Sequence, residues 1–336
     1  MLPARDKIVE RIRRKQYSLE EYLIGIRAGD KVVLSQAITL VESSLLSDKS
    51  LIEDLIQACY GFEAKSKRIG ITGSPGVGKS TFIESYGQLL IREGHRVAVL
   101  AIDPSSPLSM GSILGDKTRM DSLAREEAAF IRPTAAGISL GGVARKTREV
   151  MILCEAAGYD HILIETVGVG QSETMVRSMT DLFLLLIQPG AGDSLQGIKR
   201  GIVELADLIC VSKADGELLE VARDARSQYE QAVHFLQKKE FGWETKVILS
   251  SSVLPDGLKT VHLAIQEYMT FMQESERLKT MRAEQLKFWL HETWRVAILD
   301  RYLQSSGFQD AMQNAENQVI NGVWSPFYAA DQMLNF

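Results

Sequence analysis

The stretch "GITGSPGVGKSTF", residues 70–82, decides the fold of this 336-residue chain. It contains a complete G-x-x-x-x-G-K-S phosphate loop, which runs from Gly73 to Ser80. An apolar segment, "RIGIT", precedes the loop and a good helix former, "STFIESYGQLLIRE", follows it, which is the context that the motif requires. In this context backbone N–H groups and the helix N-terminus bind phosphate oxygens. The stretch therefore predicts a nucleotide-binding site.

Two side chains at the end of the loop have predicted roles in nucleotide binding and hydrolysis. Lys79 is predicted to reach the β- and γ-phosphates, and the Ser80 hydroxyl to bind Mg²⁺. An ATPase of the partition type would need a second lysine early in the loop, where this chain has Ser74 and Pro75. The loop therefore argues against an ATPase of that type.

Apolar strands alternate with helical segments from about Arg68 onward. Short, fully apolar strands separated by helices are typical of a doubly wound sheet, so we predict an α/β fold with a mostly parallel sheet. Ligands in such sheets bind at the carboxyl ends of the strands. The strand candidates are "RIGIT", "VAVLAID", "AFIRP", "HILIET", "LFLLLIQ", "LICVSK" and "KVILSS".

Helical patterns flank this predicted core. Ser18 and Glu21 have the spacing of a capping box, and Asp30 can cap a second helix. We predict an N-terminal helical extension over residues 1–66, a phosphate-loop domain over 67–270 and a C-terminal helical arm over 271–336.

The C-terminal pattern carries an apolar residue at every fourth position, at Leu286, Leu290, Trp294 and Ile298. Such a helix packs either on its own domain or against a second subunit. Two tryptophans on this segment favour an arm that forms a homodimer, because Trp is enriched at interfaces.

Composition excludes several classes of protein. A net charge of -5 and a pI of about 5.7 argue against a protein that coats nucleic acid. The longest apolar run, "LFLLLI", is far short of the ~20 residues of a membrane span.

Scattered cysteines predict buried free thiols in a reducing cytoplasm, at Cys59, Cys154 and Cys210. The sequence has no Cys-x-x-Cys motif, and its five histidines form no cluster along the chain.

One acidic residue is a candidate for the Mg²⁺ shell beside Ser80, and a later loop is similar to a switch. Asp103 ends the strand "VAVLAID", although a carboxylate there can also cap a helix or a turn. Asp116 and Arg119 lie in "GDKTRM", which is similar to a first switch, a mobile segment that senses the γ-phosphate. The alternative for that segment is a solvated loop.

The segment "HILIETVGVGQSE" predicts a second contact with the γ-phosphate. Glu165 lies where many NTPases have a Walker-B aspartate, and the Gly168 N–H could contact the γ-phosphate. In Ras-like enzymes a glutamine that orients the attacking water follows this glycine directly, whereas here the position is Val169. We therefore expect slow intrinsic hydrolysis that a partner can accelerate.

The segment "VSKADG", residues 211–216, is similar to the N-K-x-D box that recognises guanine. Asp215 would accept hydrogen bonds from guanine, which favours GTP over ATP, and the Lys213 stem would lie along the base. Ser212 replaces the usual Asn or Thr. Because its hydroxyl is short, we predict weaker hydrogen bonding between the neighbouring loops. The segment "LSSSVL" matches a guanine-contacting loop, with Ser251, Ser252 and Val253 at its centre.

These motifs occur in the order expected of one family. The set "GSPGVGKST", "DPSSP", "GDKTRM", "ETVGVGQSE", "GDSLQGIKRG" and "SKAD" closely resembles the MeaB/ArgK family of SIMIBI-class GTPases, roughly from Leu19 to Trp294. Members are chaperones for adenosylcobalamin-dependent acyl-CoA mutases. They gate the loading of intact cofactor and help to eject damaged cofactor, and the mutase stimulates their GTP hydrolysis.

The resemblance implies roles for particular residues. "GAGDSLQGIKRG" is similar to a third switch that couples nucleotide state to the mutase, with Lys199 as the candidate for stabilising transition-state charge and Asp193 as a second charged position. GTP or GDP with Mg²⁺ are the implied ligands, and the C-terminal helices resemble a dimerisation arm. The implied phosphate loop comprises Gly73, Ser74, Pro75, Gly76, Val77, Gly78, Lys79, Ser80 and Thr81, and the implied Mg²⁺ shell comprises Ser80, Asp103, Asp116 and Glu165.

Two other functions remain open at this stage. One is a kinase or ATPase of arginine/ornithine transport, which would need an acceptor pocket and a base that activates a hydroxyl. The other is a metallochaperone GTPase for nickel or cobalt, whose members usually carry His-rich or Cys-x-Cys-type ligands.

Overall fold

The computed structural model describes residues 17–334, except 44, 61, 63–65, 103–119, 135–139, 167–171, 191–199, 236–238, 240–241, 255, 275, 304 and 306. The chain divides into two compact units, Met1–Arg282 and Ala283–Phe336. The division into an N-terminal extension, a phosphate-loop domain and a C-terminal arm stays a prediction.

The first unit is built on a seven-stranded sheet in which every pairing is parallel. The strand order is β3-β2-β4-β1-β5-β6-β7, so the predicted doubly wound α/β fold is confirmed. The strands are β1 (Lys67–Gly73), β2 (Val97–Ile102), β3 (Ala129–Thr134), β4 (His161–Thr166), β5 (Leu182–Ile187), β6 (Leu208–Val211) and β7 (Lys246–Leu249).

Strand β1 lies at the centre of the sheet, between β4 and β5. The chain passes from β1 to one side, through β2, β3 and β4, and then to the other side, through β5, β6 and β7. Strand order therefore reverses beside β1, and a crevice for ligands forms at such a reversal. The sequence places the phosphate loop directly after β1, at this position.

The central strands are apolar on both faces because helices cover both sides of a parallel sheet. All six residues of β2 and all six of β5 are buried. Helix α4, which follows the phosphate loop, contributes Phe82, Ile83 and Tyr86 to the same core.

The described residues form thirteen α-helices. In chain order they are α1 (Leu19–Arg27), α2 (Lys31–Val41), α3 (Lys49–Tyr60), α4 (Lys79–Arg92), α5 (Asp121–Ala124), α6 (Leu140–Ala156), α7 (Ser172–Arg177), α8 (Arg200–Leu205), α9 (Leu219–His234), α10 (Lys259–Glu274), α11 (Arg277–Leu303), α12 (Phe308–Ile320) and α13 (Pro326–Leu334). None of them is long and apolar enough to cross a lipid bilayer.

The N-terminal helices begin where the sequence predicts. Ser18 and Glu21 form the capping box of α1, and the Asp30 carboxylate accepts from the backbone N–H groups of Val32 and Val33 at the start of α2. The apolar stripe of α2 is buried, and Glu42 pairs with Arg132 of β3 at 2.6 Å. These helices therefore belong to the same compact unit as the sheet.

The three cysteines are free and buried, as predicted. Burial raises the pKa of the Cys59 thiol to about 11 and that of Cys210 to about 12. They are therefore packing residues and not reactive thiols.

A buried ion pair joins α11 to the amino-terminal end of the sheet. Asp181, which is fully buried, accepts from Arg282 through both carboxylate oxygens, at 2.8 and 2.6 Å. The same guanidinium donates to the Ser66 carbonyl at 2.6 Å, and the Arg68 N–H donates to Asp181 at 2.8 Å. Arg282 thus supplies a positive charge and hydrogen bonds to both oxygens of this buried carboxylate.

We expect Arg282→Met to lower the free energy of unfolding by about 3–5 kcal/mol, because it leaves the Asp181 charge buried without its partner. Urea denaturation followed by circular dichroism measures the effect. Arg295→Ala is the control, since Arg295 is exposed and its pair with Glu292 is worth only ~0–1 kcal/mol. Equal stability of the two variants would contradict the assignment.

Candidate nucleotide-binding site

The phosphate loop connects the central strand β1 to helix α4 and needs glycine at two positions. Gly73 has φ +154°, and a Cβ there would lie 2.5 Å from the Leu186 carbonyl oxygen. Gly78, the residue before α4, has φ +101°, which is left-handed backbone that glycine adopts without strain. The loop can therefore turn tightly onto the N-terminus of α4, where backbone N–H groups bind phosphate.

The Lys79 ammonium group is held by the backbone of its own loop. It donates to the Gly73 carbonyl at 2.8 Å and to the Ser74 carbonyl at 3.2 Å, and only 9% of the residue is exposed. Burial lowers the pKa of Lys79, while the nearby Glu165 and Glu173 carboxylates act to raise it. The loop thus presents a partly desolvated cation, which is the group that would bind the charged phosphates of a nucleotide.

Ser80 and Glu165 come together although 85 positions separate them in the chain. Glu165 lies near the carboxyl end of β4, opposite Ile71 of β1, and is 5% exposed. The Ser80 hydroxyl donates to a Glu165 carboxylate oxygen at 3.1 Å. Two of the four predicted Mg²⁺-shell residues are therefore neighbours.

The segment after β6 lies against the phosphate loop. The buried Ser212 hydroxyl is within hydrogen-bonding distance of two carbonyls, that of Val77 at 2.9 Å and that of Ile187 at 3.0 Å. Lys213 has φ +56°, and its ammonium group donates to the Gly76 carbonyl at 3.1 Å. Ser212 thus lies close enough to bond either the phosphate loop, at Val77, or the end of β5, at Ile187. A hydroxyl has one proton and donates to one carbonyl at a time, whereas an Asn side chain would offer two donor hydrogens.

The two predicted guanine-contacting loops meet each other. The Ser251 hydroxyl donates to the Asp215 carboxylate at 2.5 Å, and the Ala214 N–H donates to the Ser250 carbonyl at 2.9 Å. The Ser252 carbonyl accepts from Ser85 of α4 at 3.0 Å, and Val253 is 74% exposed. Asp215 therefore has a hydrogen-bonded position beside the loop that follows β7.

Five predicted site residues lie outside the described part of the chain. They are Asp103, Asp116, Gly168, Asp193 and Lys199. Their proposed roles stay predictions.

The structure adds one acidic residue that the sequence did not single out. Glu173, in the first turn of α7, is 1% exposed and acts electrostatically on Lys79. Its sequence signal was weak, because it is simply the last letter of "ETVGVGQSE" and completes no recognised spacing.

A family comparison matches most of the chain. The model of the family described as "Methylmalonyl Co-A mutase-associated GTPase MeaB" matches residues 34–306. The chain belongs to the MeaB family.

Individual relatives cover nearly the whole chain. It is 44% identical to the GTPase ArgK of Escherichia coli over 319 residues, which cover 95% of this chain and 96% of the relative. It is 40% identical to the mitochondrial methylmalonic aciduria type A homolog of Mus musculus, over 96% of this chain and 80% of the relative. The crystal structure of a LAO/AO transport system kinase matches with a TM-score of 0.73 and 38% identity, over 95% of this chain and 97% of the other. This MeaB-family chain is a GTPase that binds guanine nucleotides.

We expect Ser212→Ala to weaken GTP binding about 5- to 10-fold, because the buried Val77 carbonyl loses its donor, at roughly 1–1.5 kcal/mol. Isothermal titration calorimetry measures the affinity. Ser47→Ala is the matched control, since Ser47 is exposed and bonds only locally, to Asp48. Unchanged affinity in Ser212→Ala would show that the hydrogen bond from Ser212 to Val77 does not contribute to GTP binding.

Proposed function

We propose that this GTPase is a chaperone of an acyl-CoA mutase of the methylmalonyl-CoA type. It would control the loading of adenosylcobalamin into the mutase and would protect or reactivate that enzyme. The observation that carries the proposal is the family match over residues 34–306, because the family is described as mutase-associated. The methylmalonic aciduria type A homolog of Mus musculus supports it at 40% identity. Other relatives are named ArgK or transport kinase. The identity of the client, meaning the protein on which the chaperone acts, therefore needs a direct test.

In the proposed mechanism the phosphate loop positions GTP and Lys79 neutralises developing charge on the β- and γ-phosphates. Ser80 and Glu165 supply the hydroxyl and carboxylate oxygens that Mg²⁺ prefers, and their 3.1 Å separation suits two positions around such an ion. A Mg²⁺ ion held by these residues would supply positive charge that stabilises the negative charge of the phosphates. Asp103 and Asp116 complete the proposed shell.

Guanine recognition is assigned to the loops after β6 and β7. Asp215 would accept from guanine N–H groups, and the Lys213 stem would line the base. The Ser251 hydroxyl at 2.5 Å supports a fixed orientation of the Asp215 carboxylate. Backbone of Ser252 and Val253 would contact the guanine oxygen.

Hydrolysis is proposed to depend on the client. Val169 occupies the position of the water-orienting glutamine of Ras-like enzymes, so the chain alone should turn over slowly. Asp193 and Lys199 belong to the segment that we propose the mutase orders, with Lys199 stabilising transition-state charge. GTP can drive such a switch only through its different affinity for the two loop arrangements.

A homodimer through the C-terminal helices is also proposed. The apolar stripe predicted on α11 is exposed, with Leu290 67% and Trp294 60% accessible, so the second unit leaves it uncovered. Helices α12 and α13 add further exposed apolar side chains, with Ile320 81% and Phe327 87% accessible. Leu290 and Trp294 are four residues apart and so share one face of α11, and an exposed apolar helix face is typical of an interaction surface.

We expect a methylmalonyl-CoA-type mutase to raise GTP turnover by about ten-fold or more, because we propose that Lys199 stabilises the transition-state charge only in the complex. Phosphate release is measured with and without each candidate acyl-CoA mutase, and an unrelated enzyme at the same concentration is the control. A transport kinase would instead yield a phosphorylated acceptor. Turnover that no acyl-CoA mutase changes would overturn the chaperone proposal while leaving the GTPase assignment intact.

A further inference from the structure

Three side chains lie close together at the amino-terminal ends of the strands. The phosphate loop lies at the opposite end of the sheet, after the carboxyl end of β1. His161 is the first residue of β4, Asp160 precedes it, and His95 lies in the turn between α4 and β2. His95 and Asp160 are 65 positions apart in the chain. Two of the five histidines, which form no cluster along the chain, are therefore neighbours in the fold.

The three groups converge on one point. The His95 Nδ1 atom lies 3.1 Å from Asp160 Oδ2, and the His161 Nδ1 atom lies 2.8 Å from Asp160 Oδ1. The two imidazole rings are 4.4 Å apart, and the potential ligand atoms all lie within 4.8 Å of one another. Ligands of a tetrahedral zinc ion, bound at 2.0–2.1 Å, lie about 3.3 Å apart, so small side-chain movements would complete the geometry.

The backbone holds these ligands in place. The Arg96 N–H donates to Asp160 Oδ1 at 3.1 Å, and the Arg96 carbonyl accepts from the N–H groups of Asp160 and His161 at 3.0 and 3.1 Å. The Lys67 N–H donates to the Asp160 carbonyl at 2.8 Å. Hydrogen bonds of this kind orient metal ligands before the metal arrives.

We propose that His95, Asp160 and His161 form a binding site for one divalent transition-metal ion of the zinc class. Two imidazoles and one carboxylate suit Zn²⁺ and its neighbours, whereas Mg²⁺ prefers oxygen ligands alone. The His95 and Asp160 side chains are 34% and 41% exposed, which leaves a path for the ion and a position for water as the fourth ligand. A bound metal ion would cross-link the turn before β2 to the start of β4.

Two of the three groups have shifted pKa values. Burial lowers the pKa of His161, and the hydrogen bond and charge of Asp160 oppose this shift. Burial acts to raise the pKa of Asp160, but hydrogen bonds from His161 and His95 outweigh it, so the pKa is lowered and the carboxylate is ionised. Lys67 is the nearby positive charge that opposes a cation, and the Arg96 guanidinium is directed to the Ala157 carbonyl at 2.8 Å.

The test uses the untagged full chain, stripped of metal with a chelator and free of nucleotide, in excess Mg²⁺. Co²⁺ is the probe, because a tetrahedral Co²⁺ site with imidazole ligands absorbs strongly in the visible range whereas an octahedral oxygen site does not. We expect one Co²⁺ per chain, displaced by one Zn²⁺. Weak absorbance that reports only octahedral cobalt, or no saturable binding, would overturn the proposal.

Matched variants locate the ion. His95→Ala removes a half-exposed ligand and should weaken Zn²⁺ binding by about a hundredfold, which is two factors of ten in the dissociation constant. His161→Gln should do the same, with circular dichroism as the check on folding. His234→Ala and His291→Ala change exposed histidines and should bind Zn²⁺ like the parent chain. Parent-like affinity in a folded His95→Ala variant would show that the three groups form only a structural hydrogen-bond cluster.

Discussion

The nucleotide site depends on one buried charge, the ammonium group of Lys79, held by the carbonyls of the loop that it ends. Taking an ammonium group out of water is unfavourable unless polar groups replace the lost hydration. Here two loop carbonyls and the nearby Glu165 and Glu173 carboxylates do so. In our account the phosphates of GTP contact this partly desolvated cation, so binding needs little further desolvation of the ammonium group.

The fold was predictable because its strongest signals are local. A phosphate loop between an apolar strand and a helix fixes β1 and α4, and short, fully apolar segments such as "LFLLLI" are typical of central parallel strands. Capping by Ser18 and Asp30 was equally readable, since a cap depends on residues two or three positions away. The meeting of Ser80 with Glu165 followed from a topological rule, because the loop after β1 and the last residues of β4 lie at the same end of the parallel sheet.

What the sequence did not predict depends on contacts between distant segments. Ser212 looked like a weakened guanine box, yet its hydroxyl reaches the Val77 and Ile187 carbonyls because β6 places it beside the phosphate loop. Glu173 became relevant only when α7 placed it near Lys79. The pairing of His95 with His161 required β2 and β4 to be neighbours, which no spacing along the chain reveals.

The most direct test of the central claim compares the parent chain with Lys79→Met, which keeps an apolar stem and removes the charge. Thermal unfolding is followed without nucleotide and with GTP and Mg²⁺. The account predicts that the variant is at least as stable as the parent without nucleotide. GTP at a hundred times its dissociation constant should stabilise the parent by about 2.7 kcal/mol and leave the variant unchanged. An equal GTP-induced shift in both proteins would contradict the account.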